Sequence, residues 1–169
     1  MIKKPFKVLF VCTGNSCRSP MAEGILRDLL AKKDTNGIIV ESAGTMSPGA
    51  NPPTSYAILT MVERGIDISS HRSRLLWKGL IEETDLILVM ERAHQRYVEQ
   101  FFPFARGKVF LLKKFGRKLV DEDKEIEDPI GYELDFYRLC GQILEKEIQR
   151  ILPKLIEMAE ERQAGSGSP

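Results

Sequence analysis

The sequence has no excess of charge of either sign and no long apolar run. Its 169 residues include 25 Lys and Arg against 24 Asp and Glu, a formal net charge of +1. Such a balance disfavours a polyanion-binding surface, so we predict no nucleic-acid partner. No stretch approaches the roughly 18 consecutive apolar residues of a membrane span, and the Met-Ile-Lys-Lys-Pro start lacks the pattern of a signal peptide. We expect a soluble, cytoplasmic protein with no membrane partner.

Cysteine is also scarce, and its three residues lie at positions 12, 17 and 140. Neither a disulfide framework nor a zinc site has this number and spacing. The cysteines therefore fit a reducing compartment and predict no structural metal.

The length of the chain limits it to one domain. A hydrophobic content of 43% over 169 residues supplies one buried core but not two. We predict a single domain over residues 1–160. Residues 161–169 end in Gly-Ser-Gly-Ser-Pro, which is typical of a flexible tail.

Apolar runs and helical patterns alternate along the chain. A last helix is predicted from Glu133 onward, with Cys140 on its apolar stripe and Pro153 expected to kink or interrupt it. Because short buried strands separated by helices form parallel sheets, we predict an α/β fold built on a parallel sheet. The predicted strands are Phe6–Cys12, Ile38–Val40, Leu86–Met90 and Val109–Leu112.

The first strand leads into an unusual loop, Cys-Thr-Gly-Asn-Ser-Cys-Arg, followed by Ser-Pro and a helix. Gly14 and Asn15 are the residue types that most easily take left-handed backbone conformations, so the loop can turn its amides inward. Amides converging at a helix N-terminus favour an anion, and phosphate is the natural occupant. The spacing therefore predicts a phosphate-binding loop.

Two side chains add chemistry to this loop. A thiol at Cys12, beside a helix N-terminus and an arginine, is favoured as a thiolate nucleophile. The planar fork of Arg18 can hold two phosphoryl oxygens at once. A strand-end cysteine followed by an ordinary turn is the alternative, but the strand before and the helix after favour the functional interpretation.

The segment from Val8 to Gly24 closely resembles the active-site loop of the low-molecular-weight protein tyrosine phosphatases, bacterial type. Asp128-Pro129 in "EIEDPIGYELDFY" resembles their general-acid loop. The resemblance covers about residues 6–155. It includes "ESAGT" at 41–45, "GIDISSHRSR" at 65–74 and "DLILVME" at 85–91.

The resemblance implies a flavodoxin-like three-layer fold, with a four-stranded parallel sheet flanked by helices and the phosphate loop after the first strand. It also implies a reaction without metal or cofactor. Cys12 would be the nucleophile that forms a cysteinyl-phosphate, Arg18 the phosphate clamp and Asp128 the general acid and base.

The remaining site residues come from the same resemblance. Ser19 would stabilise the thiolate, and Asn15, Ser42 and His71 would hold the loop in its shape. Loop residues Thr13, Gly14, Asn15, Ser16 and Cys17 would surround the phosphate.

Several of these positions have a simpler interpretation. Asp128 before Pro129 is also a common way to start a turn. His71 fits a solvated loop histidine, and His94 has no motif around it and is predicted at the surface. Resemblance suggests a reversible Cys12–Cys17 disulfide on oxidation, whereas Cys17 is equally a small buried hydrophobe.

The substrate is the least determined property. The family usually has a bulky aliphatic residue where this chain has Ser16, and aromatic residues where it has the loop 43–53 and Ile130. Related protein arginine phosphatases carry threonine at the Ser16 position. We predict a phosphorylated protein substrate, with phosphotyrosine first and phosphoarginine as the alternative.

Two other classes rank lower. Arsenate reductases of this fold need two further cysteines on a mobile segment, and only Cys140 remains. A binding module with a decayed site predicts the loss of Cys12, Arg18 or Asp128, all of which are present. The oligomeric state is open, and a monomer is the working expectation.

Overall fold

A computed structural model describes residues 4–118 and 125–165 of the chain. These residues form four strands and five α-helices, with two helices in succession between β2 and β3 and a 3-10 helix at Pro103–Lys108 between α4 and β4. The strands are β1 (Phe6–Cys12), β2 (Ile38–Gly44), β3 (Leu86–Val89) and β4 (Val109–Leu111). The helices are α1 (Arg18–Lys32), α2 (Ser55–Val62), α3 (Lys78–Glu83), α4 (Arg92–Phe101) and α5 (Leu134–Gly165).

The strands form one sheet in the order β2-β1-β3-β4, and every pairing is parallel. β1 is central and almost wholly apolar because both of its faces are covered. Val8 and Phe10 point into the core beneath α1 and α5, while Leu9 and Val11 point into a second core with α3 and α4. This three-layer arrangement confirms the predicted fold class.

β2 extends further than its apolar run predicts. It continues through Glu41, Ser42 and Ala43 to Gly44, because each of these residues pairs with β1, up to Cys12 opposite Gly44. Ser42 is therefore placed beside the start of the loop that follows β1. β3 and β4 lie where they were predicted, each one residue shorter at its end.

α5 is continuous through Pro153, so the proline does not interrupt the helix as one alternative predicted. The helix also runs past residue 160 to Gly165, and Arg162 pairs with Asp85 at 2.8 Å. The flexible tail over residues 161–169 stays a prediction, and residues 166–169 lie outside the described residues. Among those described, no helix is long and apolar enough to cross a bilayer.

Parallel pairing places the carboxyl ends of β1, β2 and β3 at one edge of the sheet, with the β1–α1 loop in the middle. This is the edge at which open α/β sheets bind their ligands. The fold therefore brings residues that follow different strands around one loop.

Candidate active site

The loop from Cys12 to Arg18 closes on itself at the N-terminus of α1. Asn15 has a φ of 55°, the left-handed conformation that its residue type tolerates, whereas Gly14 does not adopt it. The backbone N–H of Asn15 donates to the Sγ atom of Cys12 at 3.3 Å. The turn therefore points an amide at the thiol.

The Cys12 thiol has a second partner in Ser19, whose Oγ lies 2.9 Å from Sγ. The side-chain amide of Asn15 donates to the same Oγ at 2.8 Å. Because this bond occupies an acceptor position of the Ser19 hydroxyl, its hydrogen is free to point at the sulfur. Two hydrogen-bond donors, the Asn15 backbone N–H and the Ser19 hydroxyl, thus converge on the Cys12 sulfur.

Five side chains behind the loop form what we call the holding network: Asn15, Ser19, Glu23, Ser42 and His71. Asn15 also donates to Ser42 Oγ at 3.0 Å, and the Ser42 hydroxyl donates to the Glu23 carboxylate. His71 Nε2 donates to the Asn15 carbonyl at 3.0 Å, and burial lowers the pKa of the ring. The structure brings together all the residues that the resemblance assigns to holding the loop, and adds Glu23.

The end of β2 and the two residues after it pack against the loop. Thr45 and Met46 donate backbone N–H groups to the Cys12 and Thr13 carbonyls at 3.0 and 2.9 Å. A Cβ atom at Gly44 would lie only 2.5 Å from the Thr13 carbonyl oxygen. Only glycine allows this approach, which accounts for its place in the "ESAGT" segment.

Arg18 lies on the open side of the loop, although its side chain is only 1% exposed. Its Nη1 donates to the Glu91 carboxylate and, at 2.7 Å, to the Ile126 carbonyl. Its Nη2 lies 3.3 Å from Asp128 Oδ2. We call Arg18, Glu91, Ile126 and Asp128 the clamp network.

One nitrogen of the guanidinium is left over in the clamp network. Nε of Arg18 is buried and has no hydrogen-bond partner among the described residues. Burial alone would lower the pKa of Arg18, but the charges of Cys12, Asp128 and Glu91 outweigh it and raise the pKa. The guanidinium is therefore a fixed cation with a donor available for an incoming anion.

Asp128 stands at the mouth of the site. Its Oδ1 accepts a hydrogen bond from the Ile130 backbone N–H at 3.1 Å. This turn leaves the other oxygen, Oδ2, directed toward Arg18. The side chain is 35% exposed. The predicted turn is present and places the carboxyl group beside Arg18, while the acid role of Asp128 stays a prediction.

Cys17 faces away from this charge. Its Sγ contacts Thr54 Oγ1 at 3.4 Å and Tyr137 Oη at 3.6 Å, and burial raises the pKa of its thiol. Cys12, Cys17 and Cys140 are free thiols, so the disulfide remains a prediction. Thr54 also donates its N–H to the Ser16 carbonyl at 3.0 Å and caps α2.

His94 is not at the surface, contrary to the prediction from sequence. It is 3% exposed in the first turn of α4, and its Nε2 lies 2.8 Å from Thr13 Oγ1. The available signal was its spacing of four residues from Val98, which shares the buried face of this otherwise polar helix. Glu91 was likewise missed as a site residue, although it directly follows a buried strand.

A family model described as low molecular weight phosphotyrosine protein phosphatase matches residues 7–164. The chain belongs to this family. A protein-arginine-phosphatase of Geobacillus stearothermophilus is 36% identical over 151 residues, which cover 89% of this chain and 97% of that one. A low molecular weight protein-tyrosine-phosphatase of Escherichia coli strain K12, Etp, is 35% identical, with coverage of 88% and 93%.

A solved phosphatase supports the same conclusion. The crystal structure of a low molecular weight protein tyrosine phosphatase from T. tengcongensis superposes with a TM-score of 0.81 at 36% identity, covering 88% of this chain and 99% of that one. The family resemblance inferred from the loop and the acid motif is confirmed. The relatives include both tyrosine and arginine phosphatases, so membership alone does not choose between the two substrates.

Proposed function

We propose that the protein is a phosphatase that removes phosphate from phosphotyrosine in proteins through a cysteinyl-phosphate on Cys12. The observation that carries this proposal is the Cys12 thiol with its two donors, placed beside a buried guanidinium whose Nε–H has no partner among residues 4–118 and 125–165. A tetrahedral dianion satisfies that donor and the inward amides of the loop together.

The reaction runs in two displacements. The Cys12 thiolate attacks phosphorus, and the bond from phosphorus to the tyrosine oxygen breaks while Asp128 gives that oxygen its proton. Water then attacks the phosphorus of the cysteinyl-phosphate, loses a proton to Asp128 and releases inorganic phosphate and the thiolate. Arg18 binds two phosphoryl oxygens in both steps.

The preference for a phenyl ring is supported by Tyr132. Its ring lies in the wall of a cavity of about 470 Å³ that Glu91 and Asp128 also line. It stacks on Phe136 with ring centroids 4.4 Å apart, which holds it as a rigid face. Tyr132 therefore offers an aromatic surface beside Asp128. The residue directly after Asp-Pro is the aliphatic Ile130, so the aromatic side chain comes two positions later.

Phosphoarginine is the second candidate, and a different observation favours it. The same cavity is lined by four carboxylates, Glu91, Glu125, Glu127 and Asp128, which favour a cationic guanidinium. Ser16 adds a small polar side chain to the loop. We propose a cytoplasmic location, which the three free thiols support. A monomer stays the working expectation.

The test compares two phosphopeptides of matched sequence, one with phosphotyrosine and one with phosphoarginine. We expect the higher kcat/KM on phosphotyrosine, with a phosphorus–sulfur adduct trapped on Cys12 by rapid acid quench. The Cys12→Ser protein should bind phosphate but release none from either peptide. Turnover by Cys12→Ser would contradict the mechanism, and a preference for phosphoarginine would reverse the substrate assignment.

A further inference from the structure

His94 is a buried histidine that touches the phosphate loop but lies outside both the holding network and the clamp network. It occupies the third position of α4, whose N-cap is Glu91, and only 3% of it is exposed. Its ring makes two hydrogen bonds, one from each nitrogen. A buried imidazole with both nitrogens engaged has one defined orientation.

The hydrogen-bond partners of His94 determine which ring nitrogen carries the hydrogen. The Glu91 backbone N–H lies 3.1 Å from Nδ1 and can only donate, so Nδ1 is the acceptor. The neutral ring then carries its hydrogen on Nε2 and donates it to Thr13 Oγ1 at 2.8 Å. Burial first, and the Arg18 charge second, lower the pKa of His94 to about 4, which keeps the ring neutral near pH 7.

The two partners of His94 belong to opposite parts of the site. Thr13 directly follows the nucleophile, and its carbonyl is already fixed by the Met46 N–H at 2.9 Å. Glu91 binds the Arg18 guanidinium through its carboxylate and also accepts the His94 backbone N–H on its carbonyl at 3.1 Å. The His94 imidazole therefore sets the distance between Thr13 and Glu91.

We propose that His94 is a positioning residue of the phosphatase reaction, holding Thr13 and Glu91 in register so that the phosphate loop and the Arg18 guanidinium face the same phosphoryl group. The inference rests on the proposed function. It names a residue that does not touch the substrate and acts through its two hydrogen bonds.

Two substitutions separate these bonds. In His94→Asn the side-chain oxygen takes the place of Nδ1 and keeps the acceptor for Glu91, but nothing reaches Thr13. In His94→Gln the amide nitrogen keeps a donor for Thr13, and glutamine at the third helical position still accepts the Glu91 backbone N–H as in a capping box. The first variant keeps only the helix cap, and the second keeps both contacts.

We expect kcat on a phosphotyrosine peptide to fall about 10-fold in His94→Asn with little change in KM, because misplacement affects the transition state more than ground-state binding. His94→Gln should recover most of this kcat, because it keeps both contacts. A purely structural histidine would leave kcat at the wild-type value in His94→Asn, which keeps the helix cap. That outcome, or a kcat in His94→Gln no higher than in His94→Asn, overturns the inference.

Thr13→Val removes the other partner of the hydrogen bond between His94 and Thr13. It replaces the His94 variants if either of them fails to fold. It removes the hydroxyl with little change in volume and should lower kcat by a similar factor. The double variant Thr13→Val with His94→Asn should be no slower than either single variant, since both delete one interaction. Effects that multiply overturn the inference. A wild-type protein without activity on any phosphopeptide would reject the proposed function as well.

Discussion

Behind the phosphate loop, the holding network relies mainly on neutral buried side chains, whereas the clamp network in front of it consists mainly of charges. Asn15 and Ser42 lie at 0% and 1% exposure, while Asp128 is 35% exposed. We expect the side chains of the first set to fix the loop backbone. In the second set we expect Arg18 and Asp128 to meet the phosphoryl group, in a region that water also reaches. Substitutions on the two sides should therefore fail in different ways.

The largest effect is expected on the charged side. Arg18→Lys removes the planar fork and keeps one cation, so kcat/KM on a phosphotyrosine peptide should fall by about 10³-fold. Inhibition by inorganic phosphate should weaken with it. Arg138→Lys is the control, because Arg138 pairs with Glu63 and Asp135 at the surface. A fall of less than tenfold in Arg18→Lys would contradict the clamp.

Asp128→Asn should slow the reaction by about 10²-fold on substrates with poor leaving groups and much less on good ones. The reason is that only a poor leaving group needs the proton of Asp128. A series of aryl phosphates of graded leaving-group acidity measures this slope. Asp135→Asn, an exposed carboxyl that pairs with Arg138, should leave the slope at the wild-type value. Equal slowing across the series would remove Asp128 from the acid role.

On the holding side, Ser42→Ala should reduce stability more clearly than activity. It deletes the acceptor of Asn15 and the donor to Glu23, a loss of about 2 kcal/mol for a buried pair. We expect kcat to fall less than tenfold while the urea midpoint shifts. Ser69→Ala, at an exposed position, is the matched control. An unchanged midpoint in Ser42→Ala would show that this network does not stabilise the loop.

The last effect concerns pH, and it is absent near neutrality. Burial lowers the pKa of His94 from 6.5 to about 4, and it also lowers that of His71. Between these values the unfolded chain binds protons that the folded chain does not, so stability falls as pH drops from 6.5 toward 4. The slope per histidine is at most ~1.4 kcal/mol per pH unit. Urea unfolding across this range measures the free energy of unfolding at each pH. We expect this free energy to depend less steeply on pH in His94→Asn than in wild type. Equal slopes would contradict the prediction.

The sequence predicted the sheet and the phosphate loop because both have strong local patterns, apolar strands in one case and Cys-x5-Arg with Gly and Asn in the other. The holding network came from resemblance, since Asn15, Ser42 and His71 are far apart in the chain. His94 and Glu91 were missed because their function depends on where α4 begins, and a polar helix start gives no sign of what its first turn contacts. Tyr132 was missed because only the turn from Ile130 to Tyr132 brings its ring beside Asp128.

The unpaired Nε–H of Arg18 has a consequence for the enzyme after turnover. A buried donor without a partner among the described residues gains more from an oxyanion than an exposed donor would. Released orthophosphate has the same shape and charge as the group just removed, so we expect it to compete with fresh substrate for the loop. On this view product inhibition follows from the clamp itself, and the phosphate concentration around the enzyme would set the fraction of enzyme that is free to bind substrate.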